Sequence, residues 1–128
     1  MPKGIWRLTV IEQFSASHQL RGYGGACERL HGHNFGVEVE VEGDRLSEDL
    51  EILIDFKELK ALVREVLAEL DHVHLNDLPA FTEHNPSSEN LARHVFQTLA
   101  PRLSGKGVRL RQVAVSEKDT SRAVYLEA

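Results

Sequence analysis

The segment "FGVEVEVE", residues 35–42, alternates strictly between two kinds of side chain. Such period-two alternation predicts a β-strand with one face against a core and the other face open. The apolar face is typical of a sheet that helices cover on one side only. That face holds Phe35, Val37, Val39 and Val41, and the opposite face holds Gly36, Glu38, Glu40 and Glu42.

Extending the same alternation backwards places His33 and His31 on the valine face. Residues i and i+2 of an extended chain point the same way, so the two imidazoles can converge on one point. The stretch "CERLHGHN", residues 27–34, also contains Cys27, the only cysteine of the chain.

A second alternating segment, residues 6–18, precedes this one and predicts a neighbouring strand. Glu12 is the one exception on its apolar face, and His18 lies in phase with that face. If the two strands pair, three imidazoles meet. Three histidines with one position open are typical of a catalytic zinc site, and imidazole suits zinc. The alternative is a core histidine at residue 18 beside a strand-entry loop.

The rest of the chain predicts two helices followed by two more strands. Apolar residues recur at helical spacing over 55–70, and Ser87 opens a second helical pattern. Residues 107–117 and 121–128 read as strands. The order β-β-α-α-β-β predicts a single α+β domain, residues 1–128, with a four-stranded antiparallel sheet covered by two helices on one side.

Composition limits the classes of function. The chain has 128 residues, 41% of them hydrophobic, and a formal net charge of −5. This charge argues against general binding to nucleic acid, which usually needs a basic face. No apolar run has the length of a membrane span, and the amino terminus lacks the pattern of a signal peptide. A single cysteine favours a cytoplasmic, reducing location.

Four further residues are candidates for chemistry. Cys27 lies in a glycine-rich loop, where a thiolate could close the metal site as a ligand or act as a base beside it. Asp71 and His72 could form an acid–base pair, or His72 could simply favour a helix carboxyl end. Glu117 lies on the covered face of its strand, where a carboxylate needs a partner. His74, His84 and His94 are predicted to be surface or structural residues.

The motifs "FSASH", "CERLHGH", "LDHVHLND", "PSSENLA" and "VSE" together resemble the 6-pyruvoyltetrahydropterin synthase family, and most closely its bacterial 6-carboxytetrahydropterin synthases of the queuosine pathway. They occur in order through nearly the whole chain. The resemblance implies the tunnelling fold, or T-fold, whose subunits associate through their sheets into barrels. It implies a cytoplasmic homohexamer, a dimer of trimers, with active sites between subunits.

The resemblance also implies a reaction and a role for each candidate residue. The substrate would be 7,8-dihydroneopterin triphosphate, converted by a zinc-dependent lyase to 6-carboxy-5,6,7,8-tetrahydropterin with release of acetaldehyde and triphosphate. The implied roles are zinc ligation by His18, His31 and His33, proton abstraction by Cys27, a proton relay through Asp71 and His72, and pterin binding by Glu117. Cys27 and the relay would come from different chains.

Three alternatives remain. The same residues serve 6-pyruvoyltetrahydropterin synthases, and a T-fold hydrolase or cyclohydrolase could use the zinc. A non-catalytic assembly module would instead have Cys27 on the metal. Two positions depart from the family pattern, Ser87 and Lys118, where threonine is frequent. The sequence shows no evident cradle for the triphosphate, and the cations near the motifs are Arg21, Arg29, Lys118 and Arg122.

Overall fold

The computed structural model describes residues 4–22 and 29–128. Its strands and helices confirm the predicted order β-β-α-α-β-β. Neither of its two helices is long and apolar enough to cross a bilayer. The elements are β1 (Trp6–His18), β2 (His31–Gly43), α1 (Phe56–Ala68), α2 (Ser88–Leu99), β3 (Arg109–Lys118) and β4 (Ser121–Tyr125), with short 3₁₀ turns at Leu75–Asp77, Pro79–Phe81 and Ala100–Leu103.

The four strands form one antiparallel sheet in the order β1-β2-β3-β4. β1 and β2 pair along their whole length, from Trp6 opposite Gly43 to His18 opposite His31. This register places the carboxyl end of β1 beside the amino end of β2. The candidate histidines therefore gather at one end of the sheet.

The core lies between one face of the sheet and the two helices. The alternating apolar residues of β2 are fully buried, as the sequence predicts. They pack against the apolar stripes of both helices, and burying such side chains is the main contribution to stability. The fully buried contributors include Phe35, Val37, Val39 and Val41 of β2, Leu59, Val63 and Val66 of α1, and Leu91, Val95 and Leu99 of α2.

Local contacts explain where the helices begin. The Asp55 carboxylate accepts a hydrogen bond of 2.8 Å from the backbone N–H of Lys57, which caps α1. The Ser87 hydroxyl accepts one of 3.2 Å from the backbone N–H of Asn90, which caps α2. Such caps satisfy backbone donors that have no partner within the helix.

The acidic face of β2 is not covered by helices, and arginines from the neighbouring strands neutralise it. Glu42 accepts hydrogen bonds from Arg7 at 3.1 Å and from Arg109 at 2.6 Å. These two guanidinium groups hold the pKa of Glu42 below its usual range. On the covered side, Glu12 pairs at 2.9 Å with Arg64 of α1, which explains how a carboxylate is tolerated there.

Candidate metal centre and active site

Three histidines and one glutamate converge at the end of the sheet. His18 is the last residue of β1, His31 and His33 begin β2, and Glu117 lies near the end of β3. One nitrogen of each ring and one carboxylate oxygen all lie within 4.8 Å of one another. The centroids of the His18 and His31 rings are 4.5 Å apart, and those of His31 and His33 are 4.7 Å apart. We call these four residues the metal group.

Backbone carbonyls determine which nitrogen two of these rings present. The Nδ1 of His18 lies 2.7 Å from the carbonyl oxygen of Pro86, and the Nδ1 of His31 lies 2.6 Å from that of Arg29. A carbonyl only accepts, so each Nδ1 carries the proton and donates it. The Nε2 lone pair of each ring is left available, which is how metal-binding histidines are usually held.

The Nε2 of His18 is the clearest sign that the group fits a cation. His18 is fully buried, and within the described part of the chain its Nε2 makes no hydrogen bond. Glu117 Oε1 lies 3.2 Å away, so a lone pair faces a carboxylate. Burial lowers the pKa of His18, outweighing the Pro86 carbonyl and Glu117, which raise it. A metal ion would satisfy both atoms at once, and three imidazoles with a carboxylate are donors that suit zinc.

Glu117 connects the metal group to a cavity beside it. Its Oε1 approaches His18 and its Oε2 lies 3.3 Å from His33 Nε2. Glu117 also lines a cavity of about 310 Å³ that reaches Ser87 and Ser88 at the start of α2. The sequence predicts that this inward carboxylate needs a partner, and a metal ion held by the three histidines would be one.

Asp71 and His72 are in contact, as the predicted acid–base pair requires. Asp71 Oδ2 lies 2.8 Å from His72 Nδ1, and Oδ1 accepts a hydrogen bond of 2.9 Å from the backbone N–H of Ser15. The Ser15 N–H, and after it the His72 side chain, hold the pKa of Asp71 below its usual range. His72 itself has a left-handed backbone, with φ of +58°, and its side chain is 80% exposed. The pair therefore presents a free imidazole edge.

His72 lines a second, larger cavity of about 540 Å³. His33 of the metal group lines it too. His74 forms part of the same wall, and its Nδ1 lies 3.0 Å from the Ser17 hydroxyl. The sequence predicts His74 to be a surface or structural residue, and this stays a prediction.

Other candidates lie outside this arrangement or beyond the described residues. Cys27 falls in residues 23–28, outside the described residues, so its role and the expectation that it acts with a relay from another chain stay predictions. His94 is half-buried with its ring centroid 5.4 Å from that of Phe81.

The sheet, its two helices on one face and the histidine group at its end have the arrangement that the sequence resemblance implies for a T-fold protein. A family model described as 6-pyruvoyl tetrahydropterin synthase matches residues 7–128. The chain belongs to this family.

Relatives that are named for different activities share similar percentages of sequence identity with this chain. A protein of Archaeoglobus fulgidus, provisionally named a 6-carboxy-5,6,7,8-tetrahydropterin synthase, is 40% identical over 110 residues, 86% of each chain. The 6-carboxy-5,6,7,8-tetrahydropterin synthase of Synechocystis is 36% identical over 94% of this chain and 93% of its own. The dihydroneopterin monophosphate aldolase of Pyrococcus furiosus is 37% identical over 87% of this chain and 89% of its own. Identity alone therefore leaves the product open.

The fold of a solved structure matches the fold of this chain along its whole length. The 6-pyruvoyl tetrahydropterin synthase of Caenorhabditis elegans superposes with a TM-score of 0.87 at 25% identity, covering 100% of this chain and 99% of its own. This similarity confirms the predicted T-fold.

Proposed function

We propose that the protein converts 7,8-dihydroneopterin triphosphate to 6-carboxy-5,6,7,8-tetrahydropterin, acetaldehyde and triphosphate in queuosine biosynthesis, as a zinc-dependent lyase. The observation that carries this proposal is the metal group, with its buried and unsatisfied His18 Nε2, in a chain of this family. The named 6-carboxytetrahydropterin synthases among its relatives support the choice of product.

His18, His31 and His33 would hold the zinc. When bound, it would supply a Lewis acid that makes the protons next to the substrate's side-chain hydroxyls more acidic. The two backbone carbonyls behind His18 and His31 would keep their rings oriented for this role.

Two groups would move protons in the proposed reaction. Cys27 would accept a carbon-bound proton as a thiolate, and His72 would handle the second proton. The carboxylate of Asp71 holds Nδ1–H of His72, which leaves Nε2 free to take or return a proton. In the proposed hexamer, Cys27 and this pair would belong to different subunits.

Glu117 would bind the pterin ring. Glu117 lines the smaller cavity, and a carboxylate there would match the paired N–H donors on the guanidine-like edge of a pterin. Hydrogen bonds of this charge-assisted kind are among the stronger ones in proteins. The hydroxyls of Ser87 and Ser88 line the same cavity and offer further polar contacts.

Product analysis tests the proposal. The zinc-loaded protein is incubated with 7,8-dihydroneopterin triphosphate, and products are identified by mass spectrometry with a separate acetaldehyde assay. We expect 6-carboxytetrahydropterin together with acetaldehyde. Cys27→Ala is the matched control, expected to keep its zinc and to lose turnover. Loss of zinc from this variant would instead make Cys27 a ligand and favour the assembly module.

Other products would point to other members of the family. A pyruvoyl product without acetaldehyde would make the protein a 6-pyruvoyltetrahydropterin synthase and leave the site assignment intact. Turnover of the monophosphate in place of the triphosphate would favour the activity named for the Pyrococcus relative. No turnover of either compound with zinc bound would contradict the proposal.

A further inference from the structure

The carboxyl end of β1 carries His18 at the last pairing that the neighbouring strand provides. The register of β1 with β2 ends where His18 lies opposite His31. The end of a strand frays unless other groups bind the backbone that follows it, because each N–H and C=O needs a partner. How firmly the buried ring of His18 is held therefore depends on what binds residues 19–21.

The segment of residues 71–86 takes the place of a neighbouring strand along the outer edge of this end. Successive residues of a strand offer their backbone groups to opposite sides, so alternate residues face the same edge. The Ser15 N–H donates to the Asp71 carboxylate at 2.9 Å, and the Ser17 N–H donates to the Val73 carbonyl oxygen at 3.1 Å. Both of these partners belong to the segment.

Two asparagine side chains of the segment continue this edge past the end of the strand. The Asn76 amide accepts from the Gln19 N–H and donates to the Gln19 carbonyl oxygen, both at 2.9 Å. The Asn85 amide makes the same two contacts with the backbone of Arg21, at 2.9 and 3.0 Å. Each amide therefore reproduces the pair of hydrogen bonds that a neighbouring strand would make. We call Asn76 and Asn85 the asparagine clamp.

The asparagine clamp reaches His18 by two routes. Gln19, which Asn76 binds, directly follows His18 in the chain. Pro86, which directly follows Asn85, is buried, and its carbonyl oxygen accepts from His18 Nδ1 at 2.7 Å. One asparagine therefore fixes the backbone beside the ring, and the other fixes the residue whose carbonyl orients the ring.

Two further contacts hold the same part of the segment. The Asn90 side chain of α2 donates to the Asn85 carbonyl oxygen at 2.9 Å, next to Pro86. The Arg21 guanidinium donates to the Phe81 carbonyl oxygen at 2.6 Å. Arg21 is one of the cations that the sequence offers for the triphosphate, and in this structure its guanidinium ties the chain after β1 to the segment.

We infer that Asn76 and Asn85 are positioning residues for the metal-binding ring of His18. This inference rests on the proposed function, because it concerns a zinc ligand of that site. Zinc–nitrogen bonds have a narrow length of about 2.0–2.1 Å, so a ring that shifts easily binds the ion less well. Partners that orient metal-binding residues typically contribute about 10–100-fold in metal affinity. The asparagine clamp acts in this way through the backbone, without touching the ion.

The test measures zinc affinity in place of turnover. The Zn²⁺-loaded protein is titrated with a chelator of known affinity, for the wild type, Asn76→Ala and Asn85→Ala. We expect each substitution to weaken zinc binding roughly tenfold, at the lower end of the range for partners behind a ligand. The Co²⁺-loaded variants should also have a shifted visible absorption spectrum, because this spectrum reports the geometry of the ligands around the ion.

Thr82→Ala is the matched control. Thr82 lies in the same segment, and its hydroxyl donates to the Pro79 carbonyl oxygen at 3.1 Å, a contact that involves neither β1 nor Pro86. This variant should bind zinc as the wild type does and have the same Co²⁺ spectrum.

Aspartate variants keep the test decisive if an alanine variant does not fold, which circular dichroism would show. Asn76→Asp and Asn85→Asp keep the volume and the acceptor of the side chain and lose its N–H donor. We expect the same direction of change in zinc affinity and in the Co²⁺ spectrum.

Three results would contradict the inference. Reduced stability of the asparagine variants with unchanged zinc affinity and Co²⁺ spectrum would give the clamp a role in folding alone. The same loss of affinity in Thr82→Ala would show that the effect is not specific to the clamp. Both results would leave the proposed function intact, whereas failure of the wild-type protein to bind zinc would contradict the proposed function and the inference with it.

Discussion

Glu117 faces the metal group on one side and a cavity on the other. Its position on the covered face of β3 is readable from the sequence, because alternation gives the phase of a strand. Which atoms meet its two oxygens is not readable, because His18 and His33 come from distant parts of the chain. Only the pairing of three strands brings these residues together.

Glu117→Gln distinguishes two roles for this carboxylate, binding the pterin ring and binding the metal. The amide keeps the volume of the side chain and removes its charge. We expect neopterin affinity to fall by about tenfold or more, since hydrogen bonds to charged groups contribute about 1.5–3 kcal/mol. Zinc content, measured by mass spectrometry of the metal, should stay at the wild-type level because three histidines remain.

Two results would revise this role. Loss of zinc from Glu117→Gln would make the carboxylate a metal ligand. Unchanged affinity for neopterin would exclude it as the pterin anchor.

At the scale of elements, the regular segments were the most predictable. Strict alternation and helical spacing located both long strands and both helices, because each pattern reflects burial of one face. The phase of β2 also placed His31 and His33 correctly towards the covered side. The segment from residue 71 to residue 86 has no such period. Its position follows from contacts with β1, which a periodic pattern in the sequence does not show.

The start of α2 lines the smaller cavity, so its cap is a useful place for a test. Ser87→Ala removes the hydroxyl that accepts from the Asn90 N–H. We expect the free energy of unfolding to fall by about 1 kcal/mol, as is typical for loss of such a cap. The measurement is urea denaturation of the zinc-loaded protein.

Ser88→Ala is the matched control, since its hydroxyl is the neighbouring one and is not the cap of α2. Its effect should stay within about 0.5 kcal/mol. Equal destabilisation by both substitutions would show that the hydroxyl of Ser87 has no special role in capping.

At the scale of the whole molecule, the sheet presents one face without helices and a long outer strand. From Trp6 to Phe14, the outer edge of β1 has no strand beside it among the described residues. An open edge is a template for pairing with another chain. The ion pairs of Glu42 with Arg7 and Arg109 reduce the net charge of the uncovered face, which makes it easier to bring copies together.

We predict that the open edge of β1 pairs with another copy of the chain. Such pairing would join copies into barrels, and two barrels would form a hexamer. Native mass spectrometry of the zinc-loaded protein should give a species of six chains. A trimer would indicate a single barrel. A monomer at micromolar concentration would contradict an active site that is shared between subunits.

The left-handed backbone of His72 has a consequence for attempts to improve this protein. A residue with a Cβ is held there at a cost of about 1 kcal/mol or more, which glycine would avoid. Laboratory evolution for heat resistance alone would therefore favour glycine at this site and discard the imidazole held by Asp71. A thermostable catalyst would have to be selected for turnover in every round. Stability favours glycine at this position, whereas the proposed proton transfer needs the imidazole.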